Sequence, residues 1–202
     1  MRADNLSPKV KALYDAVREI MIEDIDVKEI KVSDITSRAG IGKGTAYEYF
    51  KNKEEIIGSA LLYHMDLICS QIMARICRLK DFSEVIQFIL CSMDEEIQKR
   101  DCLIKFVHLM SDNGSVSKFI RQKINQEKPD VCMPENLIEK MIQIGIANGD
   151  IKDKLPHSYM NMVIASKLIV YAIYITYEKE EKKCSKAQMH ELICDSLLKE
   201  FN

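Results

Sequence analysis

Apolar residues recur along most of this chain at intervals of three and four, the spacing that lines up one face of an α-helix. Val10, Leu13, Tyr14, Val17, Ile20 and Met21 make the first such stripe. Ser7 can cap it and Pro8 suits the first helical position, so a helix is predicted over 7–24. The charged connector EDIDVKEIK breaks the pattern. A short helix is predicted over 33–39, ended by Gly40, and after the turn Gly40-Ile41-Gly42 a third over 43–49. Asn52 and Glu55 resemble a capping box opening a long fourth helix, along which Ile57, Leu61, Met65, Ile68, Ile72, Ile76 and Leu79 keep helical spacing. Further helices are expected at 82–98, 102–112, 115–127 and 134–148, the last stopped at Asn148-Gly149-Asp150. Pro156 opens another that runs to about residue 180, and Ser185 with Gln188 caps a final one. No alternating run of useful length marks a strand, and the fold class expected is all-α.

The stretch from Tyr159 to Tyr177 is apolar almost all round and near the minimum length of a membrane span. Lys167 and Asn161 argue against a span, because a lysine at the centre of a bilayer is costly. A helix covered on one side by its own domain and on another by a second subunit explains the pattern better, so no membrane partner is expected.

Composition narrows the picture. Of 202 residues, 47% are hydrophobic and 30% charged, which fits a globular chain and not a disordered one. Seven glycines and four prolines are few breakers, again favouring long helices. The net charge of −2 gives no global sign of a nucleic-acid partner, so any DNA-binding surface must be a local patch. The seven cysteines (Cys69, Cys77, Cys91, Cys102, Cys132, Cys184, Cys194) are odd in number and form no C-x-x-C pair. The start MRADNLSPKVK has no apolar core of a secretion signal. Both point to a cytoplasmic protein with free thiols, with redox sensing by one of them left open.

The informative stretch is VSDITSRAGIGKGTAYEYFKNK, Val32 to Lys53. It reads as two short helices joined by a glycine-bounded turn, with Ile35, Ala39, Ile41, Ala46 and Phe50 packing inward. Such a pair can lay its second helix in the DNA major groove. Lys43, Thr45, Tyr47, Tyr49, Lys51 and Lys53 are left outside, donors suited to phosphate oxygens and base edges. From Arg38 to Lys53 the four basic residues Arg38, Lys43, Lys51 and Lys53 face the single acid Glu48, the local patch the overall charge demands.

The run AGIGKGTAYEYFKNKEEI resembles the helix-turn-helix signature of the tetracycline-repressor (TetR) family. The helix in front, the chain length and the helical remainder are also similar. The resemblance implies a DNA-binding domain at 1–53 and a helical ligand-binding and dimerisation domain at 54–202. It implies that Lys43 and Gly44 meet base edges. Thr45, Tyr47, Tyr49 and Lys53 would contact the phosphate backbone, and Ser33 would reach a phosphate near the start of the second helix. The sequence departs from the family pattern at Gly42, where serine is usual, at Lys31, where threonine is common, and at Ala46, where a larger apolar residue is common. The expected partners are double-stranded DNA carrying a palindromic operator, a small-molecule effector and a second copy of the chain. Repression is the family habit.

Dimerisation is expected through the last two helices, by Val163, Leu168, Tyr171, Ile175, Leu192, Ile193 and Leu197. His64, His108, Asn113 and Tyr174 are candidate polar groups of an otherwise apolar effector site, though each histidine also reads well as a core or surface residue. His108 and Asp112 are four apart, but no nucleophile stands in register, and no phosphate-binding, dinucleotide or metal-ligand motif is present. An enzyme is therefore not expected, nor a cofactor or a metal. The competing reading is a helical ligand-binding or interaction module that has lost DNA binding.

Overall fold

The computed structural model describes residues 6–23, 25–98, 109, 113–127, 131–177 and 184–202. Among them there are nine main helices and no strand. These are α1 (Pro8–Ile22), α2 (Val32–Arg38), α3 (Lys43–Tyr49), α4 (Lys53–Ile76), α5 (Phe82–Gln98), α6 (Ser115–Glu127), α7 (Pro134–Asn148), α8 (His157–Tyr177) and α9 (Lys186–Glu200). The helix expected at 102–112 lies outside the described residues apart from position 109, and α4 stops one turn short of Leu79. The chain divides into two compact units, Met1–Ile68 with Arg100–Cys132 and Cys69–Lys99 with Met133–Asn202.

In the first unit the whole predicted stripe of α1 is buried, Val10 to Met21, with Ala16 added. Ser7 Oγ accepts the Val10 N–H at 3.3 Å and so closes the helix start. The Tyr14 ring lies 5.9 Å from that of Phe50 and 5.3 Å from that of Tyr63. Burial, against a hydrogen bond from Ser59, pushes the Tyr14 phenol up to about 12. Ile35 of α2, Ala46 of α3 and Ile56, Ile57 and Leu61 of α4 complete this core. From α6, Val116 and Ile120 are buried, and the Phe119 ring is pressed onto Gly58.

The second unit is centred on Phe82, Val85, Ile86 and Leu90 of α5 with Leu137, Ile138, Met141 and Ile142 of α7. A Cβ at Gly145 would stand 2.7 Å from the Phe82 ring and 3.0 Å from Ile151, so this glycine permits the close approach of α7. Gly149 then ends α7 in the left-handed region at φ 83°, as the Asn-Gly-Asp signal predicts. Asp150 Oδ2 accepts the Phe82 N–H at 2.8 Å. At the other end of the unit, Ser185 and Gln188 form the predicted reciprocal cap, at 2.9 and 3.2 Å.

Two described helices, Lys53–Ile76 and His157–Thr176, are long and apolar enough to cross a membrane. In the second only 22% of the apolar stretch is buried within this chain, against 50% in the first. α8 turns Met160, Ile164, Tyr171 and Ala172 inward. Met162 (61% exposed), Val170 (64%), Ile169 and Ile173 stay outside, beside Leu192 of α9. Such a run of uncovered apolar side chains on neighbouring helices exceeds the scattered exposure of an ordinary surface.

Candidate nucleic-acid interface

The turn before α3 is built from its glycines. Gly40 adopts φ 64°, which residues with a Cβ seldom reach, and this lets the Ile41 N–H fold back to the Thr36 carbonyl at 2.9 Å. Gly42 then caps α3 at φ −67°, an ordinary extended conformation with open space around it. Serine would fit there too, so the departure at Gly42 is tolerated without strain.

α3 is anchored by Ala46, fully buried, and at its end by Phe50, 7% exposed. At 100° per residue, that anchor leaves the remaining faces of α3 turned outward. Lys43 and Tyr47 share one side, Thr45 and Tyr49 the other, and Gly44 and Glu48 lie between them. Tyr47 is 52% and Tyr49 43% exposed; Lys43, Gly44, Glu48 and Lys51 are also exposed, and Thr45 is half-buried. Nothing lies within 4 Å of where a Gly44 Cβ would be. The inward set is partly as expected: Ile35, Ala46 and Phe50 are buried, while Ala39 and Ile41 are only half-buried.

Several polar contacts brace the α2–α3 pair. The Arg38 guanidinium grips the Glu23 carboxylate with two hydrogen bonds, 2.7 and 2.8 Å, tying the end of α2 to the end of α1. This hydrogen-bonded pairing lowers the Glu23 carboxyl and raises Arg38, and it offsets the charge of Arg38 within the patch. Ser33 Oγ donates to Asp34 Oδ1 at 3.3 Å, and the other Asp34 oxygen accepts the Lys31 N–H at 3.2 Å. Lys53 Nζ donates to the Lys28 carbonyl at 3.1 Å, so it sits over the loop that precedes α2. The cap of α4 differs in one limb from the expected box. Asn52 Oδ1 takes the Glu55 N–H at 2.8 Å, but the Glu55 carboxylate takes the Lys51 N–H at 2.7 Å. Glu48, the single acid of the patch, sits in the middle of the outward face.

The other candidates scatter. His64, 7% exposed, points into the first unit, its Nε2 3.0 Å from the Tyr14 carbonyl. Asn113, in the same unit, accepts from Arg121 at 3.3 Å, whereas Tyr174 belongs to the second unit. His108 and Asp112 lie outside the described residues. No group of three or more metal-ligating side chains occurs among the described residues. Of the seven residues expected at a dimer interface, Leu192 is 59% exposed, and Val163, Leu168, Ile175 and Ile193 are half-buried. Tyr171 (3% exposed) and Leu197 (0%) are enclosed by the second unit itself, so the uncovered apolar side chains beside Leu192 are instead Met162, Ile169, Val170 and Ile173. Between α8 and α9 runs an open, largely apolar groove of about 400 Å³, floored by Tyr171 and edged by Val170, Tyr174 and Leu192.

Residues 21–60, which hold α2 and α3 and the contacts that brace them, match the family described as bacterial regulatory proteins, tetR family. Over 148 residues, 73% of each chain, the sequence is 26% identical to the fatty acid metabolism regulator protein of Bacillus subtilis (strain 168). Among solved structures, the fatty acid degradation regulator FadR of Bacillus halodurans superposes with a TM-score of 0.70 at 18% identity, covering 96% of this chain and 97% of that one. FadR of Bacillus subtilis, solved in complex with stearoyl-CoA, superposes at 0.61, also at 18% identity, with 95% of each chain covered. At these identities the structural likeness establishes a shared fold.

Proposed function

We propose that this chain, which belongs to the tetR family of bacterial regulatory proteins, is a ligand-responsive transcriptional regulator of the repressor type. In this reading it holds an inverted-repeat operator as a homodimer and leaves it when a long-chain acyl thioester binds. The observation that carries the reading is α3. A single small residue, Ala46, is buried, and Lys43, Gly44, Tyr47 and Tyr49 are all turned outward. Two exposed tyrosines on the same short helix as an exposed lysine are poor solvent-facing choices but good partners for a duplex, where phenol and ammonium groups reach phosphate oxygens.

In this reading residues 1–53 read DNA. Lys43 and the bare backbone at Gly44 approach base edges, Thr45, Tyr47 and Tyr49 hold phosphates on either side, and Ser33 reaches a phosphate from α2. Lys53 turns from the Lys28 carbonyl to a phosphate. Glu48 suits the amino group of a cytosine better than a phosphate. Two copies pair through the uncovered apolar face of α8 and α9, giving a two-fold axis, and their α3 helices meet major grooves about 34–36 Å apart.

Residues 54–202 would hold the effector. The names of the relatives support an acyl thioester, and the apolar helices of this part suit an acyl chain. α4 supplies Lys53–Ile68 to the first unit and Cys69–Ile76 to the second, so it is the natural lever between effector and DNA. A coupling of about 1–3 kcal/mol changes operator affinity about 5–150-fold. The work requires only binding, in the compartment that holds the DNA, the cytoplasm.

The test is retention of sheared genomic DNA from the source organism on the immobilised chain at low salt. The expected result is retention of a few specific fragments by the unaltered chain and loss of them by Lys43→Ala with Tyr47→Ala. Stearoyl-CoA should elute them and coenzyme A alone should not. Equal retention by the double variant would overturn the DNA reading, and indifference to stearoyl-CoA would overturn the effector reading.

A further inference from the structure

The second unit holds a polar cluster that DNA binding does not use. Cys91 and Asp94 stand one turn apart on α5, Tyr171 comes from α8, and His190 and Lys186 come from α9. Tyr171 Oη lies 2.7 Å from Asp94 Oδ1 and 2.7 Å from His190 Nε2. Lys186 Nζ stands 3.5 Å from the same carboxylate oxygen, and His190 Nε2 is 3.4 Å from the other one. Cys91 Sγ lies 4.0 Å from His190 Nδ1.

The geometry fixes where the protons are. Tyr171 has one hydroxyl proton, and the Asp94 carboxylate is the acceptor that can only receive. With that proton spent on Asp94, Oη meets Nε2 as an acceptor, so Nε2 carries the N–H. A neutral imidazole protonated at Nε2 has a bare lone pair at Nδ1, and Nδ1 is the nitrogen that faces Cys91. Burial holds the His190 imidazole below its usual range, with Lys186 reinforcing and Asp94 opposing, so near neutral pH the ring is a free base. Cys91 is exposed to solvent, so a reagent can reach it.

We propose that Cys91 is a modification site, a thiol that exchanges with small disulfides while His190 takes and returns its proton and Asp94 with Tyr171 positions the ring. The Cys91 S–H proton passes to Nδ1, and the thiolate attacks one sulfur of the incoming disulfide. The S–S bond of the reagent breaks as the bond to Cys91 forms. The other half leaves as a thiolate and takes the proton back from Nδ1. One disulfide is consumed and one is made, so the reagent itself is the oxidant and no further co-reactant is needed. This stands independently of the DNA reading.

The experiment uses the full chain and 2-hydroxyethyl disulfide, an uncharged probe, with the rate read at each cysteine by peptide mass spectrometry. Cys77 is the internal comparison, exposed and in the same unit, and the buried Cys69 and Cys194 report on the fold. Cys91 is expected to react about tenfold faster than Cys77 at neutral pH, an advantage that His190→Gln abolishes and Asp94→Asn reduces. Parity with Cys77, or an advantage untouched by His190→Gln in a chain whose Cys69 and Cys194 stay protected, overturns the proposal. Should His190→Gln expose those two thiols, the pH profile of the unaltered chain decides. A Cys91 rate that climbs through the imidazole range, about pH 5–7, supports the proposal, and one parallel to that of Cys77 overturns it.

Discussion

Gly44 and Ala46 stand two residues apart on α3 and face opposite ways, so substitutions at the two positions separate stability from recognition. Ala46 is fully enclosed, and Ala46→Leu forces extra methyl groups into a filled space, at a cost of about 1–3 kcal/mol read as a lowered melting temperature. Gly44 faces open space, and Gly44→Ala should raise the melting temperature slightly, because alanine is the better helix former by up to about 1 kcal/mol. The same methyl group should weaken DNA binding if a duplex approaches that backbone, and unchanged DNA affinity would remove Gly44 from the interface. Gly145 has neighbours on two sides, Phe82 and Ile151, so Gly145→Ala should destabilise by about 1–3 kcal/mol in thermal unfolding. The outward turn of Tyr47 and Tyr49 was legible from sequence because Ala46 and Phe50 set the phase of the helix. The pairing of Arg38 with Glu23 and of Lys53 with the Lys28 carbonyl was not legible, since those partners lie 15 and 25 residues away with no periodic relation.

Among the elements, the helix ends were the most readable feature, because caps are local chemistry. Ser7, Gly149 and the Ser185–Gln188 pair act where the sequence places them. α8 was readable as a helix but not in its orientation. A helix apolar all round has no phase, so nothing local marks Tyr171 as core and Val170 as surface. The bracing contacts of these elements differ in weight. The Glu23–Arg38 pair lies at the surface, and Arg38→Ala should leave the melting temperature unchanged within error despite its good geometry. The enclosed His190 should matter more. Its unfolded pKa is near 6.5, and its folded pKa is held lower, chiefly by burial. Above the unfolded value both states are neutral and the group adds no pH dependence. Below it the unfolded chain takes up the proton more readily, so stability is lost as pH falls. Between about pH 7.5 and 5.5 the unaltered chain should lose more melting temperature than His190→Gln, and equal slopes would contradict this assignment.

For the whole molecule, an all-helical fold with a helix-turn-helix near its start was plain from periodicity and from one stretch of about 20 residues. The class of effector was not, because an apolar binding site is lined by side chains that look like core in any sequence; the acyl thioester is proposed from what the relatives are named for. The uncovered face of α8 and α9 makes a prediction at this scale. Val170→Glu with Leu192→Glu should convert a dimer to a monomer in sedimentation while helical content is retained, because both side chains are exposed within one chain. Loss of the dimer should also cost operator affinity, since two half-sites are then no longer held together. A chain that stays dimeric after both changes would move the interface elsewhere. The most direct measurement is selection of duplexes from a random-sequence pool by the purified chain at low salt. The account predicts enrichment of an inverted repeat whose half-sites are centred about one helical turn, or a multiple of it, apart, lost when Lys43 and Tyr47 are alanine. A pool that emerges with no enriched sequence, or the same repeat enriched by the altered chain, would contradict it.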